Sequence, residues 1–187
     1  MNDIFTFWMN RLSDYQRRKE RGEIVNIWEE ISNFDSSIDG LAATGLDLKE
    51  AARCLLDCEK ADIFINERKY SDALSILNNA TPKILPPDQI NRLIIANREL
   101  LRGNVFLIRD EDYLAAAHSY DLSLKASGIL TPLISANAAF NQGICYSLIG
   151  KYEDAYISYN TSEKYYRVPG RLDKVADVML SIGNQIG

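Results

Sequence analysis

One histidine, His118, and three cysteines, Cys54, Cys58 and Cys145, are all that this chain holds of the usual soft metal ligands. Three is an odd number for a disulfide framework. Cys54 and Cys58 also stand one helical turn apart inside an apolar pattern, which predicts buried free thiols. No metal centre and no cofactor are expected. Long apolar runs are missing too: the stretch from Ile4 through Phe5, Thr6, Phe7 and Trp8 to Met9 is far short of the ~20 residues of a membrane span. No small-residue cleavage site follows it, so it is not expected to be a signal peptide, and a cytoplasmic location follows by default. Positive charge is in deficit, with 21 Lys and Arg against 26 Asp and Glu, a net charge of −5 and a pI near 5.0. Such a surface repels a phosphate backbone, so nucleic acid is not an expected partner. The densest basic group, Arg11, Arg17, Arg18, Lys19 and Arg21, is interrupted by Asp14, Glu20 and Glu23 and reads as a solvated helix end. Catalytic signatures are also lacking. There is no Gly-rich phosphate loop, no Gly-x-Ser-x-Gly elbow and no His-Glu-x-x-His pair.

What remains is an ordinary globular composition, 47% hydrophobic and 25% charged, in 187 residues. Within it the segments starting at Ala96, Ala136 and Ala176 align at a spacing of 40. Ala96, Asn97, Leu100 and Gly103 recur as Ala136, Asn137, Phe140 and Gly143, and again as Ala176, Asp177, Leu180 and Gly183. Apolar residues at helical spacing surround each copy, for example Leu133, Ala136, Phe140, Ile144 and Leu148. A second signature follows the first two copies: Tyr113, Ala116 and Tyr120, then Tyr152, Ala155 and Tyr159, offset by 39. An earlier version has Ala61 at the glycine position, then Tyr70, Asp72, Ala73 and Leu77. Two antiparallel helices approach closely only where side chains are small, so Gly or Ala in one is expected to face Ala in the next. Bulky groups such as Tyr113 and Tyr152 fill the wedge between pairs, and stacking completes a core that no pair closes alone. Linkers at Asn78 to Asp88, Gly128 to Pro132 and Val168 to Gly170 carry helix-stop and helix-start residues.

These phased residues resemble the tetratricopeptide repeat family. The copy at 139–162 matches best, with Gly143, Tyr146, Gly150, Tyr152, Ala155 and Tyr159 in place; Gln142 and Ser162 depart from the usual Leu and Ala. The resemblance covers roughly residues 50 to 187 and implies an all-α fold, an α-solenoid of about three and a half stacked hairpins. Units longer than the family's usual 34 residues resemble those of bacterial peptide-sensing regulators and of sensor arms of signal-transduction ATPases. Residues 1–47 are expected to form an N-terminal helical pair and linker ahead of the array at 48–187. The pair spans Ile4 to Tyr15 and Ile24 to Phe34, and caps the first hairpin; its functional alternative is a docking or dimerisation surface at Phe7 and Trp8. From Asp35 to Asp47 a turn-rich linker is expected, with an N-cap just before Leu48. The sequence stops at Gly187 just after a first-helix motif, which leaves a polar cap, a truncated chain or pairing with another subunit as open readings.

In this family the first helices line the concave face, and peptide contacts fall about one per turn along a stripe. Carried over, the stripe is Asn97, Leu100, Asn104 and Leu107, then Asn137, Phe140, Ile144 and Ser147, then Asp177, Leu180 and Asn184, with Asn141 beside it. In the earliest unit it is Leu55, Cys58, Asp62 and Ile65. Asparagine is a poor interior helix residue, and its recurrence suits a carboxamide that holds a peptide backbone; exposed polar positions are the plainer explanation. Asn, Leu and Phe stand where a terminal-carboxylate clamp needs Lys and Arg, so a neutral or apolar segment is the expected ligand. Glu153, Asp154 and the run Asp110, Glu111, Asp112 read as first-turn caps, not as catalytic acids. The resemblance thus implies a scaffold that binds a protein or peptide, as an adaptor, chaperone or sensor part of a regulator, and not an enzyme. The alternative is self-assembly as a structural module or homo-oligomer, with neither nucleic acid nor membrane as partner.

Overall fold

The computed structural model describes residues 3–186, with the side chains of 3–5, 42–44, 130 and 184–186 outside the description. The expectations on Ile4, Phe5 and Asn184 concern side chains outside it. All regular structure among the described residues is helical: α1 Asp3–Glu20, α2 Ile27–Ile38, α3 Leu46–Asn66, α4 Tyr70–Asn79, α5 Asp88–Val105, α6 Tyr113–Ser127, α7 Pro132–Leu148, α8 Tyr152–Arg167 and α9 Leu172–Ile186. Neighbours pack in pairs, α3 on α4, α5 on α6 and α7 on α8, with α6 against α7 and α9 against α8. No described helix is long and apolar enough to cross a membrane.

Each pair is closed by the residues that recur in the sequence. Gly103 of α5 lies beneath the ring of Tyr120 on α6, and Gly143 of α7 beneath the ring of Tyr159 on α8. One turn further along, the Ser123 hydroxyl donates to the Ala96 carbonyl at 2.8 Å and the Ser162 hydroxyl to the Ala136 carbonyl at 2.9 Å. Ser162 thus bonds the facing helix. In the α3/α4 pair a smaller Leu77 replaces the tyrosine, and Ala61 fits where the other pairs need glycine; both are fully buried. Gln142 joins pairs to one another: its amide donates to the Ala117 carbonyl of α6 at 3.3 Å and accepts from Ser158 of α8 at 3.0 Å.

The turns explain why the first helices repeat at 40 and the second at 39. Between α7 and α8 the Lys151 amide donates to the Tyr146 carbonyl with Gly150 at φ +74°, and between α3 and α4 Lys69 donates to Phe64 with Arg68 at φ +60°. Both close a helix end in the manner of a Schellman turn. Between α5 and α6 the corresponding bond runs from Asp112 to Phe106, one residue longer, and Phe106–Asp110 forms a π-helical turn that absorbs the extra residue. Asp112 then caps α6, accepting from the Ala115 amide at 3.0 Å.

The N-terminal segment corrects two expectations. The linker predicted from Asp35 is mostly helical: α2 continues to Ile38 and a 3₁₀ turn occupies Asp39–Thr44. Phe34, Ile38 and Leu41 are all buried at helical spacing, and that burial outweighs the turn-forming residues between them. Ser36 and Ser37 return their hydroxyls to the carbonyls of Ser32 and Phe34. Helix α3 begins at Leu46, not Leu48, with Gly45 before it and no side-chain cap. Trp8 is 2% exposed, donates its indole N–H to Ser37 Oγ at 3.1 Å and meets Phe34 edge-on, so of the two aromatics offered for docking only Phe7 is exposed. Trp8, Leu12, Tyr15, Phe34, Leu55 and Ile94 belong to one core cluster that runs from α1 into α5.

All three cysteines are buried free thiols. Burial pushes the Cys54 thiol up to about 11 and the Cys145 thiol to about 12, and raises Cys58 as well. Thiolate is the reactive form. Iodoacetamide at pH 8 is therefore expected to leave the native chain unlabelled and to label every cysteine in denaturant, as counted by intact mass; labelling of the native chain at any of them would show that its wall opens.

Candidate functional site

The inner faces of α3, α5 and α7, together with α1 and α9, enclose adjoining hollows. The larger, about 580 Å³, lies between α1, α3, α5 and α7 and is mainly apolar, with Leu12, Leu55, Leu93, Leu100 and Leu133 among its walls. A second, about 320 Å³, lies between α5, α7 and α9. Its walls include Asp62, Leu100, Asn104, Asn137, Phe140 and Asp177, six of the residues assigned to the stripe, and Asn141 beside it. Asn97 faces the larger hollow. Leu107 and Ile144 are not brought to either hollow. Leu107 packs against the α6/α7 cluster of Ala116, Tyr120 and Cys145, and Ile144 packs against the α7/α8/α9 cluster, as Phe140 does.

The asparagines have structural work that the sequence does not reveal. Asn104 Oδ1 accepts from the Tyr120 hydroxyl at 2.9 Å and from Asn141 Nδ2 at 3.0 Å, tying α6, α5 and α7 together. Asn137 Oδ1 accepts from the Tyr166 hydroxyl at 2.5 Å. Burial pushes Tyr166 up to about 12 and Tyr120 higher still, so both hydroxyls keep their protons and remain donors. With their oxygens engaged, Asn104 and Asn137 donate no bond from Nδ2 among the described residues. Asn97 differs, since its Nδ2 returns to the Leu93 carbonyl of its own helix at 3.0 Å. Asp177 pairs with Lys174 at 3.3 Å.

The earliest stretch of the stripe is occupied by the chain itself. Leu55 and Cys58 are buried and line the larger hollow opposite α1, while Ile65 is buried in the cluster between α3, α4 and α5. Lys19 reaches Glu59 at 2.5 Å and Asp62 at 3.0 Å, and Gln16 donates to Glu59 at 2.6 Å. Lys19 is therefore a partly buried tie between helices and not part of a solvated helix end. Burial alone would lower its pKa, but the charges of Glu59 and Asp62 and the hydrogen bond it donates to Glu59 outweigh that and hold it above 10.5. Its basic neighbours are also paired, Arg17 with Asp14, Arg18 with Glu30 and Arg21 with Glu23. Glu20, at the end of α1, comes within 3.8 Å of Arg171, which precedes α9. A sequence signal for the tie existed in Glu59 and Asp62, acidic residues three apart within an apolar helix, but nothing in the spacing named Lys19 as their partner.

His118 stands exposed on α6, outside both hollows. No group of three or more metal-ligating side chains occurs among the described residues. Comparison with family models, curated proteins and solved structures finds no match.

Proposed function

We propose that this chain is a tetratricopeptide-like α-solenoid that holds a polypeptide segment between α5, α7 and α9, serving as an adaptor, chaperone or sensor part of a regulator and not as an enzyme. The observation that carries the reading is the convergence of Leu100, Asn104, Asn137, Phe140, Asn141 and Asp177 on one hollow. Its chemistry suits a peptide. Phe140 and Leu100 offer apolar contact, and Asn104 and Asn137, turned by their tyrosines, present amide N–H groups that match backbone carbonyls whatever the side chains. Nothing in that hollow resembles a poised acid, base or nucleophile. Its carboxylates Asp62 and Asp177 are ion-paired to lysines.

Leu100 borders both hollows, so Leu100→Trp fills them without removing a hydrogen bond. Peptides selected from a displayed library on the wild-type chain are expected to bind the variant about tenfold more weakly or worse, a loss of at least ~1.4 kcal/mol by calorimetry. Leu122→Trp, at an exposed position on α6, is the control and should leave affinity unchanged. Peptides that bind wild type and Leu100→Trp equally would place the contact elsewhere and sink the reading.

A further inference from the structure

We infer that the segment taken into these hollows is basic: a lysine or arginine of the ligand meets Asp62 while a large apolar residue next to it enters the larger hollow. The inference deepens the function proposed above and rests on it. A third hollow, about 430 Å³, meets the other two at Asn137. Across the three, each lysine and arginine already has a carboxylate. Lys19 is shared by Glu59 and Asp62, Lys174 pairs with Asp177, and Arg171 pairs with Asp173 at 3.1 Å while Glu20 approaches it only to 3.8 Å. Five carboxylates thus face three cations on these walls, an excess of two negative charges. No cation there is left to receive an acidic ligand, and the field of the hollows favours a positive one.

Asp62 is where that excess is open to a ligand. It lines both the larger hollow and the one between α5, α7 and α9, together with Leu100, Leu101 and Asn137. Its Oδ2 accepts from Lys19 at 3.0 Å, its Oδ1 accepts no bond among the described residues, and its side chain is 31% exposed. Lys19 is meanwhile held more closely by Glu59, at 2.5 Å. A ligand cation at Asp62 therefore adds a partner without displacing one, in a space partly shielded from water, where such a pair is stronger than on an open surface. Beside it the walls formed by Leu12, Leu55, Leu93 and Leu133 enclose room for a leucine or phenylalanine side chain. Thr131 also lines the larger hollow, and its Oγ1 is buried with no hydrogen-bond partner among the described residues. A backbone amide of the segment would satisfy that oxygen, and a bare hydrocarbon would not. The sequence pointed to a neutral or apolar segment because the stripe holds Asn, Leu and Phe. Glu20 from α1 and Asp173 in the first turn of α9 come to the hollows only in the fold.

Short random peptides displayed on phage and selected on the wild-type chain test this. Sequencing is expected to show lysine or arginine enriched next to Leu, Ile, Phe or Met. With its basic residue replaced by glutamine, the strongest such peptide should bind the wild-type chain about tenfold more weakly, and more weakly still with glutamate there. Asp62→Asn should weaken the parent peptide about tenfold yet bind parent and glutamine forms alike, with helical circular dichroism unchanged. The comparison of the peptide forms needs only the wild-type chain, so it stands even where Asp62→Asn folds poorly. Peptides that lose affinity on Leu100→Trp but show no basic preference would leave the groove in place and overturn this inference. Acidic enrichment, or basic peptides that bind Asp62→Asn as well as wild type, would overturn it equally. Selected peptides indifferent to Leu100→Trp, or no selected peptide at all, would sink the groove and this inference with it.

Discussion

Replacing Gly103 by alanine is expected to lower the stability of the fold by about 2 kcal/mol, although alanine is the better helix former by about 1 kcal/mol. The added Cβ would lie 2.5 Å from Cε1, 2.8 Å from Cδ1 and 2.9 Å from Cζ of Tyr120. That ring has nowhere to go, being fully buried with its hydroxyl bound to Asn104. Overpacking therefore outweighs propensity. The chain contains its own remedy in the α3/α4 pair, where Ala61 and Leu77 share one buried cluster. Combining Gly103→Ala with Tyr120→Leu should cost less than the two single changes added together, with a coupling of about 1 kcal/mol or more in a double-mutant cycle from urea midpoints. A Gly103→Ala chain more stable than wild type would show that the pair does not close through this contact.

Lys19→Met is expected to cost about 3 kcal/mol, because it strands Glu59 and Asp62 without their cation while keeping most of the side-chain volume. The side chains of Lys19 and Glu59 are only 20% and 10% exposed, so water does little to replace the lost partner. Removing both charges, Lys19→Met with Glu59→Met, should recover much of the loss. The pH dependence follows from the raised pKa of Lys19. A cation stabilised in the folded state contributes fully below its unfolded pKa, near the ordinary 10.5, and that contribution fades as pH rises towards the higher folded value. Thermal midpoints of wild type and Lys19→Met should therefore stay well apart up to about pH 10 and converge above it. Equal midpoints at neutral pH would mean that α1 is not held by this tie.

The pairing of helices was legible because its determinants are local in identity: a small residue and a tyrosine must recur in phase for the backbones to meet. The recurring residues were visible for that reason, but their partnership was not: glycine was expected to face alanine and Tyr152 to fill the wedge between pairs, whereas Gly103 and Gly143 lie under the rings of Tyr120 and Tyr159 and Tyr152 is exposed. The path of α1 was not legible, since a lysine bound to carboxylates forty residues away leaves no periodic trace. The end of α2 was misread for a related cause: Asp35, Ser36, Ser37 and Gly40 read as a turn until the burial of Ile38 and Leu41 is known. Of the hollow's residues, Asn104, Asn137 and Phe140 were placed on the stripe by the repeat's phase together with the resemblance that says which positions line it. Tyr166, which turns Asn137, could not be placed, because it lies one helix away and outside the repeated signature.

The π-helical turn at Phe106–Asp110 shows where this architecture has slack. One extra residue was accommodated at the tip of a hairpin without disturbing Gly103 beneath Tyr120 or the bond from Ser123 to Ala96 a few residues further in. Between those contacts, by contrast, a single inserted residue would rotate every small side chain off the facing helix. Loop grafting, tagging and circular permutation of this chain therefore have natural sites at the hairpin tips, and the spacing between the glycine and the alanine seven residues before it is the length that must be kept.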